Sequence, residues 1–131
     1  MENFTADGRD RSLDYKLSNF FILKGSWDAK VLDMVAPVGD EMIIPKTSSS
    51  LFNSTNFDYL VRNIGLDTIA VVGFLTDQCV DHTIRDGADR GFHIICVSDA
   101  CAADTRARHE AALGAFRGYC VVREELLRVL I

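Results

Sequence analysis

Apolar residues along this chain fall into short clusters whose spacing alternates between two periods. Phe57, Leu60, Val61 and Ile64 recur at i, i+3, i+4 and i+7, which predicts one face of a helix, and Gly65 stops it. Thr68 to Leu75 follows as an almost unbroken run of β-branched and apolar residues, the composition of a strand buried on both faces. Val80, Ile84, Gly87 and Ala88 then share one stripe, predicting a helix from Cys79 to Arg90 that Gly91 terminates. The alternation repeats with a strand from His93 to Ser98 and a helix from Arg106 to Arg117, with Leu113 and Phe116 on one face. A strand from Tyr119 to Val122 and a helix from Glu124 to Leu130 complete it. Strands alternating with helices at this spacing predict an α/β fold, helices layered on a parallel sheet with right-handed crossovers.

The first third is less regular. Met1 to Asn19 is polar and weakly patterned, which reads as a loop or a poorly ordered arm. Phe20 to Leu23 is a short apolar run expected to be extended. Ser26 stands where it can N-cap a short helix with Trp27, Val31 and Val35 on one face, ended by Pro37 and Gly39. Met42 to Ile44 reads as a strand, and Thr47 to Thr55 is a loop rich in Ser, Thr and Asn. With no repeat and no linker, the expected organisation is a polar arm over residues 1–19 and one domain over residues 20–131.

Composition narrows the partners. A chain of 131 residues has room for one sizeable core. Lys and Arg number 14 against 19 Asp and Glu, a net charge of −5, so the basic footprint of a nucleic-acid surface is missing and no nucleic-acid partner is expected. The longest apolar run, Ile69 to Leu75, is too short to span a bilayer, so no membrane partner is expected. Four cysteines in a chain of this length lack the density of a disulfide scaffold, which points to a reducing, cytoplasmic compartment.

In open α/β sheets, ligands bind beyond the carboxyl ends of the strands. The segments after Ile44, Leu75 and Ser98 qualify, and they carry Lys46, Cys79 and Asp99. Cys79 follows the most apolar strand by the four-residue turn Leu75-Thr76-Asp77-Gln78 and stands where a helix begins. Backbone N–H groups and the helix dipole there favour an anion, lower a thiol's pKa and can hold an oxyanion. The alternative is a buried, inert thiol, which is how Cys96, Cys101 and Cys120 read. Lys46, just past Pro45, either stabilises a thiolate or is a solvated charge at a strand end. Asp99 either joins the chemistry or caps a loop. His82, His93 and His109 lack metal-ligand spacing, and neither a zinc pattern nor a glycine-rich phosphate loop occurs.

Val71-Val72-Gly73-Phe74-Leu75-Thr76-Asp77-Gln78-Cys79-Val80-Asp81 closely resembles the nucleophile motif of the isochorismatase-like cysteine hydrolases. Pro45-Lys46-Thr47-Ser48-Ser49-Ser50-Leu51-Phe52 resembles their catalytic-lysine segment, and Gly91 through Cys101 resembles the following strand with its Asp-Ala turn. The resemblance runs from about Gly25 to the C-terminus, and its wording is closest to members acting on N-carbamoyl and ureido compounds, with nicotinamidases as further relatives. It implies a three-layer α/β/α fold of Rossmann-like type. It also implies hydrolysis of a C–N amide bond in a small-molecule substrate through a thioester, with no cofactor and no metal, often in a homo-oligomer. Carried onto this chain, it makes Cys79 the nucleophile and Lys46 the triad lysine. The backbone N–H groups of Leu75 and Cys79 become the oxyanion hole, Phe52, Thr76 and Gln78 lie against substrate, and the Phe74–Leu75 peptide is cis.

One family element has no counterpart. The family aspartate ends a first, apolar strand, whereas Asp7, Asp10 and Asp14 stand in polar surroundings and Asp33-Met34 falls on the expected short helix. The resemblance therefore implies a member shortened at its N-terminus, lacking the first two strands of a sheet ordered 3-2-1-4-5-6 and leaving an open edge on the Thr68 strand. An alternative function follows: a catalytically impaired member, or a shortened product, acting as a binding or interaction module.

Overall fold

The computed structural model describes residues 2–130, and the chain divides into two compact units. The first comprises residues 1–49 with 53–55, the second residues 50–52 with 56–131.

The first unit is held by side chains bonding to backbone. The segment expected as a polar arm contains helix α1 (Leu13–Leu17), whose N-cap Ser12 accepts from the Tyr15 N–H at 3.4 Å. Asp10 closes the preceding loop by accepting from the Phe4 N–H at 2.7 Å and the Thr5 hydroxyl at 2.6 Å. These bonds hold its carboxyl down at about 2, the Thr5 hydroxyl contributing most. Asn3, 1% exposed, bonds its N–H to the Ile22 carbonyl at 2.6 Å and accepts from the Ile22 N–H at 3.0 Å. The Phe20–Leu23 run is thereby extended, with a parallel bridge between Asn3 and Leu23.

Two expected elements do not form here. The helix after Ser26 is replaced by separate 3₁₀ turns, Trp27–Ala29 and Asp33–Val35, and Trp27, Val31 and Val35 are all exposed. A short helix that buries no face does not recover its nucleation cost. Met42 to Ile44 is not a strand: a strand needs a ladder partner, none pairs with it among the described residues, and Met42 and Ile43 are exposed.

The second unit is the α/β unit. Helix α2 (Phe57–Ile64) ends at Gly65, whose φ of 81° supplies the left-handed C-cap that releases N–H bonds to the Arg62 and Val61 carbonyls. Three parallel strands follow, β1 (Thr68–Phe74), β2 (His93–Ala102) and β3 (Cys120–Val121), in the order β1-β2-β3. Between and after them lie α3 (Asp81–Asp89), α4 (Arg106–Phe116) and α5 (Arg123–Leu130). The core gathers Phe52, Val61, Val80, Ile84, Phe92, Ile94, Cys96, Ala112 and Phe116. The Leu51 N–H donates to the Thr83 hydroxyl at 3.1 Å, tying residues 50–52 to α3.

Among the described residues β1 pairs only with β2 and forms a sheet edge, the open edge expected from the sequence. It is not buried on both faces. Its residues alternate between exposed and half-buried, with Val72 and Phe74 at 60% and 77% exposure. A β-branched run is compatible with two covers, but one face of β1 lacks one among the described residues. No described helix is long and apolar enough to cross a membrane.

Candidate active site

At the carboxyl end of β1 the chain turns through a cis Phe74–Leu75 peptide, as the resemblance implies. The segment Thr76–Val80 then forms a single π turn that runs into α3. The expected helix start at Cys79 is thus three residues late. The Leu75 carbonyl accepts from both the Gln78 N–H at 3.0 Å and the Val80 N–H at 3.2 Å, so the helical winding starts at Thr76. Cys79 is half-buried on this turn, and it is not in a disulfide.

Two consecutive residues of α4 grip two consecutive residues of the turn. Thr76, wholly buried, shares a 2.9 Å hydrogen bond between its Oγ1 and His109 Nδ1. Arg108 reaches Asp77 Oδ2 at 2.6 Å. The other oxygen, Asp77 Oδ1, is buried and makes no hydrogen bond among the described residues. Asp81, just past the turn, pairs with Arg85 at 2.6 Å. Periodicity and motif reading missed Arg108 and His109. The one available signal was the threonine itself: a hydroxyl expected inside a folded turn requires a partner.

The remaining candidates have definite places. Thr76 has committed its hydroxyl to His109, and Gln78 is half-buried on the turn. Phe52 is a core residue, 6% exposed, with its ring centroid 5.5 Å from Phe57 and 5.6 Å from Phe92. Asp99 caps α5 by accepting from the Arg123 N–H at 2.7 Å, the capping alternative. In the other unit, Lys46 is half-buried and its Nζ donates to the Ser48 and Ser49 carbonyls at 2.9 and 2.8 Å, which folds the Ser-rich loop around the ammonium. A cavity of about 350 Å³ in that unit is lined by Glu2, Lys24, Gly25, Ser26, Ala29 and Lys30, none of them a predicted site residue.

A family described as "Isochorismatase domain" matches residues 3–124. The chain is 32% identical to the ureidoacrylate amidohydrolase RutB of Methylorubrum extorquens over 85 residues, 65% of this chain but 34% of that protein, so the match spans about a third of the relative's length. Among solved structures, an isochorismatase family protein from Desulfovibrio vulgaris superposes with a TM-score of 0.89 at 28% identity, covering 98% of this chain and 72% of the other. The N-carbamoylsarcosine amidase of Thermoplasma acidophilum superposes with a TM-score of 0.75 at 27% identity, covering 92% and 66%.

Proposed function

This chain belongs to the isochorismatase family, and from that membership we propose that it is a cysteine-dependent hydrolase of a C–N amide bond in a small N-carbamoyl, ureido or carboxamide substrate. Cys79 attacks the carbonyl carbon as its thiolate, the C–N bond breaks, ammonia or an amine leaves with a proton, and water hydrolyses the thioester. The Leu75 and Cys79 N–H groups receive the oxyanion, and Lys46 supplies the positive charge that favours thiolate and oxyanion. Gln78, half-buried on the turn, lies against the substrate, and Thr76 and Phe52 support these surroundings from beneath, Thr76 through His109 and Phe52 from the core. The same proposal includes a homo-oligomer in a reducing cytoplasm and a reaction without a cofactor.

The observation that carries this reading is the placement of Cys79: a half-buried thiol on a π turn that follows a cis peptide at the carboxyl end of a parallel strand. The amidase names of the relatives support the class of bond broken. A second reading, a binding module without turnover, is favoured by Asp10. This N-terminal carboxylate is committed to the Phe4 N–H and the Thr5 hydroxyl.

Ammonia release from ureidoacrylate, N-carbamoylsarcosine and nicotinamide, with and without prior iodoacetamide, decides between them. Turnover lost in Cys79→Ser and strongly reduced in Lys46→Ala supports the hydrolase. Alkylation of Cys79 near neutral pH without turnover on any substrate supports the binding module. A Cys79 that resists alkylation in the folded protein overturns both.

A further inference from the structure

Three of the four cysteines lie together in the sheet of the second unit, away from the turn that carries Cys79. Cys96 faces Val71 across the β1–β2 ladder and Cys120 across the β2–β3 ladder. After Cys96 the register breaks, and Cys101 faces Gly73. Five residues of β2 are therefore taken up against two of β1. This returns Cys101 to within roughly 6.6 Å of Cys96 along the strand, at ~3.3 Å per residue. An axial offset of this size does not exceed the ~6.8 Å upper end of Cα separations across a disulfide. The two sulfurs stand 4.0 Å apart.

The two thiols differ in the way a dithiol oxidation needs. Cys96 is 0% exposed, whereas Cys101 is half-buried and open to a small oxidant. The Cys96 hydrogen bond pulls Cys101 down, which favours its thiolate form. The same bond and burial push Cys96 up, which favours its protonated form.

We propose that Cys96 and Cys101 form a redox-active dithiol pair that closes to a disulfide when a hydroperoxide oxidises Cys101. The Cys101 thiolate attacks the distal peroxide oxygen, the O–O bond breaks, and Cys101 becomes a sulfenic acid while the peroxide's other oxygen leaves with a proton as water or alcohol. The Cys96 sulfur then attacks the Cys101 sulfur. The S–O bond breaks, the hydroxide leaves with the Cys96 proton as water, and two thiols have given two electrons to one peroxide. A thiol reductant reverses the step. The staple would close one residue from Phe74, at the strand end that opens the Cys79 turn, yet its formation does not require Cys79 to be catalytic.

Hydrogen peroxide, followed by alkylation and trypsin, tests the pair on the whole chain, because Cys96 and Cys101 fall in one tryptic peptide, residues 91–106. The expected product is that peptide unalkylated and lighter by two hydrogens, restored to double alkylation by dithiothreitol. In Cys96→Ser, Cys101 is expected to accumulate as a sulfenic acid trapped by dimedone. In Cys101→Ser, Cys96 is expected to stay a thiol under the same peroxide dose. Both cysteines alkylated after oxidation, a Cys96–Cys120 bond, an intermolecular disulfide, or Cys101 driven to sulfinic acid with Cys96 intact each overturns the proposal. Should the serine variants fail to fold, the wild-type time course still decides, since the peptide mass needs no variant.

Discussion

Replacing Thr76 by valine and His109 by alanine, singly and together, measures how firmly α4 holds the turn that carries Cys79. The two changes are not equivalent. Valine keeps the shape of threonine in a site with 0% exposure and removes only the hydroxyl, leaving a half-buried imidazole that can turn to water. The cost is that of one net hydrogen bond, about 1 kcal/mol. Alanine at 109 strands the Thr76 hydroxyl where water cannot follow, so the loss includes its desolvation and is expected at about 2 kcal/mol. In the double variant no orphan remains, so its total is expected near that of Thr76→Val alone, a coupling energy of about 2 kcal/mol. Urea unfolding followed by far-UV circular dichroism reads these values, since most helix and strand lies in residues 56–130. Thr76→Val costing as much as His109→Ala, or a strictly additive double variant, would refute the argument that this bond anchors the turn.

Gly87→Ala gains helix propensity of roughly 1 kcal/mol. Its new Cβ, however, would stand 2.7 Å from Ile94 Cδ1 and 3.1 Å from the Phe52 ring. A net loss of about 1 kcal/mol is expected, mostly relieved in Gly87→Ala/Ile94→Val, as thermal melts of both would show. Arg108→Gln breaks a 2.6 Å contact whose arginine is 46% exposed. It is expected to cost less than about 1 kcal/mol, a difference that shrinks in high salt. Asp10 sits at about 2 against an ordinary 3.8, so between these values the unfolded chain binds the extra proton and stability rises with pH. Its contribution is fully present above about 3.8 and lost as pH falls through about 2. Amide exchange of Phe4 and Thr5 against pH checks this, and Asp10→Asn should remove the dependence.

What the sequence shows and what it hides follow from how each part is held together. Helix α2 is legible because its face repeats at helical spacing and its stop is a glycine with a left-handed φ. β2, α4 and α5 are legible within a few residues for the same local reasons. The first unit is not, because its order comes from single, aperiodic bonds: Asn3 to Ile22, Asp10 to Phe4, and Arg11 to the Gly8 and Phe20 carbonyls at 3.0 Å each. No periodicity announces such bonds. Within the candidate site, Cys79 could be found from its place after an apolar run, whereas His109 stands 33 residues from Thr76 and reaches it only through the fold.

β1 makes the underlying distinction plain. Its run of Ile69, Val71, Val72 and Phe74 states what the strand is able to bury, not what is there to bury it. The half-buried side, Ile69 and Val71, packs against the core, while Val72 and Phe74 on the other side stay exposed. The same logic removes Met42 to Ile44 from the sheet: three strand-forming residues make no strand where no ladder meets them among the described residues. Hydrophobic pattern reports a residue's demand for cover, and only the assembled backbone reports the supply. The two disagree most at the edge beside which Phe74 leads into Cys79, where an apolar strand face remains open next to the proposed nucleophile.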